Sequence, residues 1–136
     1  MDNIKFKTRR VTIISADTVL NRQYDEPFNE LHLCFDKGEY NWEFSFEETK
    51  SVASDINMIN NLHKLLKCKE NSEMNGRKIR VFLYKRKNIF GEWIKGWEIA
   101  GYGAYNSDRF MDVIYDGPIM SRAELERIVE KRECVY

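Results

Sequence analysis

Two histidines and three cysteines are the side chains of this 136-residue sequence with the most reactive chemistry. His32 and Cys34 stand two apart, so on a strand both point to one side. His63 and Cys68 fall near the end of a segment with helical periodicity. All four are zinc-ligand types, yet there is no C-x-x-C unit, and the two histidines are too far apart for a short H-x-H spacing. The pattern predicts no metal site and no cofactor. His63 lies on an apolar stripe, where a histidine held by a neighbour in the core is the ordinary case.

Covalent catalysis is no better supported. A nucleophilic thiol or hydroxyl needs an adjacent base oriented by a third group, and no G-x-S-x-G elbow occurs. Cys34 and Cys68 could borrow a histidine, but free cysteines in small domains mostly behave as small apolar groups. Glu43 and Glu47 offer a carboxylate pair, although general acid chemistry requires a burial-raised pKa that an amphipathic hairpin does not imply. "GYGAYN" has Gly101 and Gly103, then Asn106 where a dinucleotide fingerprint wants its third glycine, and it leads into a strand. Those glycines instead suggest a bent backbone or a close approach. An enzyme therefore ranks third among the readings considered.

The stronger signal is "RKIRVFLYKRKNIFGEWIKGW", residues 77–97, with seven basic residues, five aromatic ones and one acid, Glu92. If Ile79, Val81 and Leu83 face a core, Lys78, Arg80, Phe82 and Tyr84 share the opposite face. Arginine beside exposed rings suits neutralising a phosphate and stacking a base. Arg77, Lys85, Arg86 and Lys87 extend the positive run, and Trp93, Trp97, Tyr102 and Arg109 are secondary candidates. The opposing expectation is that a second layer covers this face, making Phe82 and Tyr84 core and pairing Arg80 with an acid.

Residues 25–48 are the counterpart, with eight acids against Lys37, a net charge of −7, where 77–97 carries +6. Asp36, Glu39, Glu43, Glu47 and Glu48 could cover the basic groove of a nucleic-acid-handling protein, with fast, salt-sensitive association. Inhibitors and immunity proteins of phage or mobile-element type are often single domains of this size. Opposite charges on neighbouring strands would also simply pair within a sheet.

The elements that position these groups follow from periodicity. Residues 4–20 are rich in β-branched residues and predict one or two strands turning near Ser15–Asp17. Leu31, Leu33 and Phe35 alternate with His32 and Cys34; after "DKGE", Tyr40, Trp42, Phe44 and Phe46 alternate with polar residues, which predicts a hairpin with one apolar face. Val52, Ile56, Ile59, Leu62 and Leu66 recur at helical spacing. Residues 78–84 return to strand character, "KRKNIFGE" predicts a turn, and Trp93–Gly103 and "RFMDVIY" predict further strands. Ser121 and Glu124 form a capping box ahead of a closing helix.

The fold expected is α+β: a mainly antiparallel sheet of about six to seven strands with two helices packed on one face, in a single domain over residues 1–136. The equal count of 22 basic and 22 acidic residues removes any global field favouring nucleic acid or membrane. The N-terminal residues lack an apolar stretch of signal-peptide length, and no segment nears the roughly 18 apolar residues of a membrane span. An odd cysteine count fits reduced thiols and a cytoplasmic location. The reading is a binding protein for an anionic partner, nucleotide or nucleic acid, with a basic protein target as alternative; surplus aromatics and open strand edges leave room for a homo-oligomer.

Overall fold

The computed structural model describes residues 3–22, 28–36, 43–47, 53–112 and 119–133, with backbone alone at 18–21, 28–30, 43–47 and 53–58. The expected turn after Asp36, together with Tyr40, Trp42, Val52, Glu39, Glu48 and Cys134, lies outside these residues. The chain forms two compact units: Val11–Lys78, and Met1–Arg10 with Ile79–Tyr136. The first carries 8 basic and 12 acidic residues and the second 14 and 10, so net charges of −4 and +4 oppose each other. They are called the acidic and basic units below.

In the acidic unit the second half of β1 (Ile4–Asn21) pairs antiparallel with β2 (Phe28–Phe35), and β2 with β3 (Glu43–Glu47). The expected alternation holds: Leu31, Leu33 and Phe35 are buried while His32 and Cys34 are half-buried. The turn expected near Ser15–Asp17 is instead a β-bulge. Pairing slips between Ile13 and Ser15, the strand continues, and the extra residue Ile14 faces water. Asn75 Oδ1 accepts the Ala16 N–H at 2.6 Å, beside this irregularity.

Helix α1 (Ala53–Leu66) lies against β3 and buries Ile59, Leu62 and Leu66. Its end is a Schellman motif: the Cys68 N–H donates to the His63 carbonyl at 3.0 Å and the Lys67 N–H to that of Lys64 at 3.3 Å. Lys67 takes the left-handed conformation, φ 54°, usually left to glycine there. A 3-10 turn follows at Asn71–Met74.

In the basic unit the strand order is β1, β4 (Lys78–Arg86), β5 (Glu98–Gly103), β6 (Arg109–Asp112) and β7 (Met120–Ser121), with β4–β5, β5–β6 and β6–β7 antiparallel. The α+β class and the strand–helix–strand–helix order are as expected. Helix α2 (Arg122–Glu133) packs on β5, β6 and β7. Phe82, Ala100, Phe110, Leu125 and Val129 form the core beneath it, with Phe6, Tyr84 and Met120 at its margin. The ring of Phe82 stacks on Phe6 at 5.5 Å and meets Phe110 at 5.3 Å.

The expected start of α2 is capped by Ser121: its Oγ accepts the Glu124 N–H at 3.3 Å and donates to the Glu124 carboxylate at 3.0 Å, so the two side chains meet without the reciprocal backbone bond of a full capping box. The other end of α2 is tied to β6 by Arg132, whose guanidinium reaches the fully buried Asp112 carboxylate at 2.6 and 3.4 Å. Gly101 and Gly103 do permit a close approach, to the protein's own elements. A Cβ on Gly101 would stand 2.7 Å from the Met111 carbonyl and 2.8 Å from Leu125; one on Gly103 would meet the Arg109 carbonyl and the Phe110 ring. Among the described residues no helix is long and apolar enough to cross a membrane.

Candidate functional site

β4 decides where a basic–aromatic surface can exist. Ile79, Val81 and Leu83 are fully buried, as expected, but so is Phe82 on the opposite side. The face expected to be open is covered by α2, because Phe82 is the ring that Leu125 and Val129 seal. Phe82 therefore offers no base-stacking surface. The same holds for Tyr102, fully buried opposite Val81. Burial drives both Tyr102 and Tyr84 hydroxyls far above the usual tyrosine range; contacts with Glu98 and Glu133 add to the effect at Tyr84. Tyr84 donates to Glu133 at 3.2 Å.

The arginines are engaged within the fold. Arg80 donates to the Ser107 carbonyl and to Thr8 Oγ1, each at 2.8 Å, and sits 3.6 Å from Asp108. Arg109 donates to the Ile119 carbonyl at 3.1 Å. Arg86 pairs with Glu133 at 3.2 Å. Arg77 and Lys78 belong to the acidic unit, where Arg77 donates to the Leu66 carbonyl and so caps α1. The expected constellation thus divides: its arginines and inner rings build structure, as the covered-face expectation required.

Lys85, Lys87, Trp93 and Trp97 do come together, and two residues that sequence reasoning missed join them. The Lys87 N–H donates to the Asn3 carbonyl at 3.2 Å, which sets β1 against β4 so that Lys5 stands opposite Lys85, two residues further in. Phe6, Phe82 and Tyr84 point toward α2, so Lys5, Lys7, Lys85 and Lys87 share the other face. Past the turn, Trp93 pairs with Lys87 across the hairpin. Lys5 Nζ lies 4.1 Å and Lys87 Nζ 5.1 Å from the Trp93 ring centroid; Lys7 lies 4.2 Å and Lys85 5.2 Å from that of Trp97. Both indoles remain partly open to water.

Each ammonium–ring contact contributes about 0.5–1 kcal/mol at an exposed site. These contacts hold four like charges together. Among the described residues, Lys5, Lys85 and Lys87 form no ion pair. Such a group has the charge and donors to meet several phosphate or carboxylate oxygens, beside indoles that the lysines partly cover. Lys87 also borders an open cleft of about 540 Å³, which Ile4, Arg86, Asn88, Ile89 and Glu133 help to line. The signal that could have found Lys5 and Lys7 is the alternation in "IKFK", but it needs the pairing of β1 with β4 to be read.

His63 Nε2 is bonded to Asn71 Oδ1 at 2.7 Å, beside an open polar cleft of the acidic unit. Cys68 is buried; desolvation, reinforced by Glu73 and partly offset by Arg77, raises its thiol pKa above the ordinary value, opposite to what a nucleophile needs. Among the described residues no group of three metal-ligating side chains forms. Of the acidic candidates, Asp36 Oδ1 accepts the Thr12 N–H at 2.9 Å, while Glu43 and Glu47 sit in β3 opposite Cys34 and Glu30. Comparison with protein families, curated proteins and solved structures finds no match.

Proposed function

We propose that this protein binds single-stranded nucleic acid through the face made by Lys5, Lys7, Lys85, Lys87, Trp93 and Trp97. The observation that carries the reading is four ammonium groups gathered around two partly open indoles. Lysines act as mobile point charges on phosphates and do not demand one geometry. Indole faces stack on any base, so the combination favours a strand with unpaired bases and little sequence preference. The unit that carries the face has a net charge of +4, which concentrates a polyanion near it.

The test is a titration of labelled single-stranded oligonucleotide, read by anisotropy and by tryptophan emission. Binding with quenched emission is expected. Lys85→Glu with Lys87→Glu weakens it strongly at moderate salt, and Trp93→Phe with Trp97→Phe removes most of the quenching. Unchanged binding by the lysine double variant overturns the assignment of this face.

A further inference from the structure

The hairpin that carries Trp93 ends in a tip that the binding face leaves unused. Ile89 is 89% exposed and Phe90 78% exposed, with Ile94 open on the returning arm. Burial would remove this apolar surface from water, yet the turn holds it outward. Asn88 Oδ1 accepts the N–H groups of Phe90 and Glu92 at 2.9 and 3.0 Å. The Asn88 N–H donates to the Glu92 carbonyl at 2.8 Å, and the Asn88 carbonyl accepts from Gly91 at 3.1 Å. Gly91 takes φ 76°, the left-handed conformation that closes the turn. The Lys87–Trp93 bridge and the Ile94 N–H donating to the Arg86 carbonyl at 3.0 Å brace its base. Two large apolar side chains are therefore displayed on a short, internally bonded turn.

Their position relative to the charges is informative. Ile89 and Phe90 stand in the turn two and three residues beyond Lys87, so a strand held on the lysines has the apolar tip beside it. We propose that Phe90, flanked by Ile89, inserts into the base stack of the bound strand as a wedge. Apolar side chains that enter between bases do so when neighbouring basic groups hold the backbone in place, and Lys5, Lys85 and Lys87 lie at the root of this hairpin. The inference rests on the nucleic-acid reading and adds how the bases are handled.

The experiment uses the full chain and an oligonucleotide carrying 2-aminopurine between purines, whose emission rises when it is unstacked. Wild-type binding is expected to raise that emission. Phe90→Ala and Ile89→Ser keep the fold, as thermal melting will check, and abolish the rise. Phe90→Ala weakens affinity about tenfold, as loss of one stacking contact does, while the slope of log affinity against log salt stays unchanged, because no phosphate contact is lost. Binding without an emission rise, or a rise that survives Phe90→Ala, overturns the wedge and leaves the lysine–tryptophan face standing. Failure to bind any oligonucleotide overturns both. Two further results also overturn the wedge: flotation with phosphatidylserine vesicles abolished by Phe90→Ala, or a dimer dissolved by Phe90→Asp.

Discussion

At the scale of single residues, Lys67 shows a local conflict that the fold overrides. A left-handed backbone at φ 54° costs a side-chain-bearing residue about 1 kcal/mol, and the closing bonds of α1 hold it there. Lys67→Gly relieves the strain, although glycine also loosens the unfolded chain. The expected net effect is a gain of up to about 0.5 kcal/mol in urea denaturation; a loss would mean that the lysine side chain contributes more than its backbone costs. Tyr84 gives a pH signature. Burial first, then Glu98 and Glu133, raise its folded pKa above the ordinary value of 10.0. The unfolded tyrosine ionises near that value while the folded one stays neutral, so its contribution is present below pH 10 and lost as pH rises above it. Melting temperature should therefore fall between pH 9 and pH 11 by less in Tyr84→Phe than in the wild type. Equal falls would show that other groups, the buried Tyr102 among them, carry the whole effect.

At the scale of elements, α2 covers the face of β4 that the sequence left open to two readings, and two interactions hold it. Ser121 caps its start, and Ser121→Ala should cost about 1 kcal/mol. The Arg132–Asp112 pair near its other end is more consequential, because Asp112 is fully buried. Asp112→Ala strands Arg132 without its carboxylate and should cost about 3–5 kcal/mol. Asp112→Leu with Arg132→Met should recover most of that loss, since a buried ion pair can be replaced by apolar groups of similar volume. A double variant as unstable as the single one would assign the loss to packing around Leu125 and Val129. These elements also mark how far sequence could reach. Alternation in Leu31–Phe35, the stripe Ile59, Leu62 and Leu66, and the cap that Ser121 places on Glu124 are local patterns, and all are realised. Phe82 was ambiguous because a strand covered on both sides gives no alternation. The bulge at Ile14 and the pairing of Lys5 with Lys85 depend on register, which short-range periodicity does not encode. The candidate face was accordingly half readable: Lys85, Lys87, Trp93 and Trp97 lie in one segment, whereas Lys5 and Lys7 reach it from some eighty residues away in the chain.

At the scale of the whole molecule, a net charge of zero conceals opposite charges of −4 and +4 on the two units. Total charge therefore says little about binding, and the distribution of lysines says much. If four lysines each neutralise a phosphate of a single strand, the slope of log affinity against log salt is about −3. A rise from 50 to 200 mM salt then weakens binding about fifty-fold. Lys85→Glu with Lys87→Glu removes two of those contacts and should flatten the slope to about −1.5 or less. The same change in net charge can be made in the acidic unit, with Lys64→Glu and Lys67→Glu at two exposed positions. If the lysine–tryptophan face is the binding surface, that control leaves the slope unchanged, because neither lysine is among the groups that contact phosphate. If both pairs flatten the slope equally, the strand is attracted by the molecule as a whole, and no single face binds it.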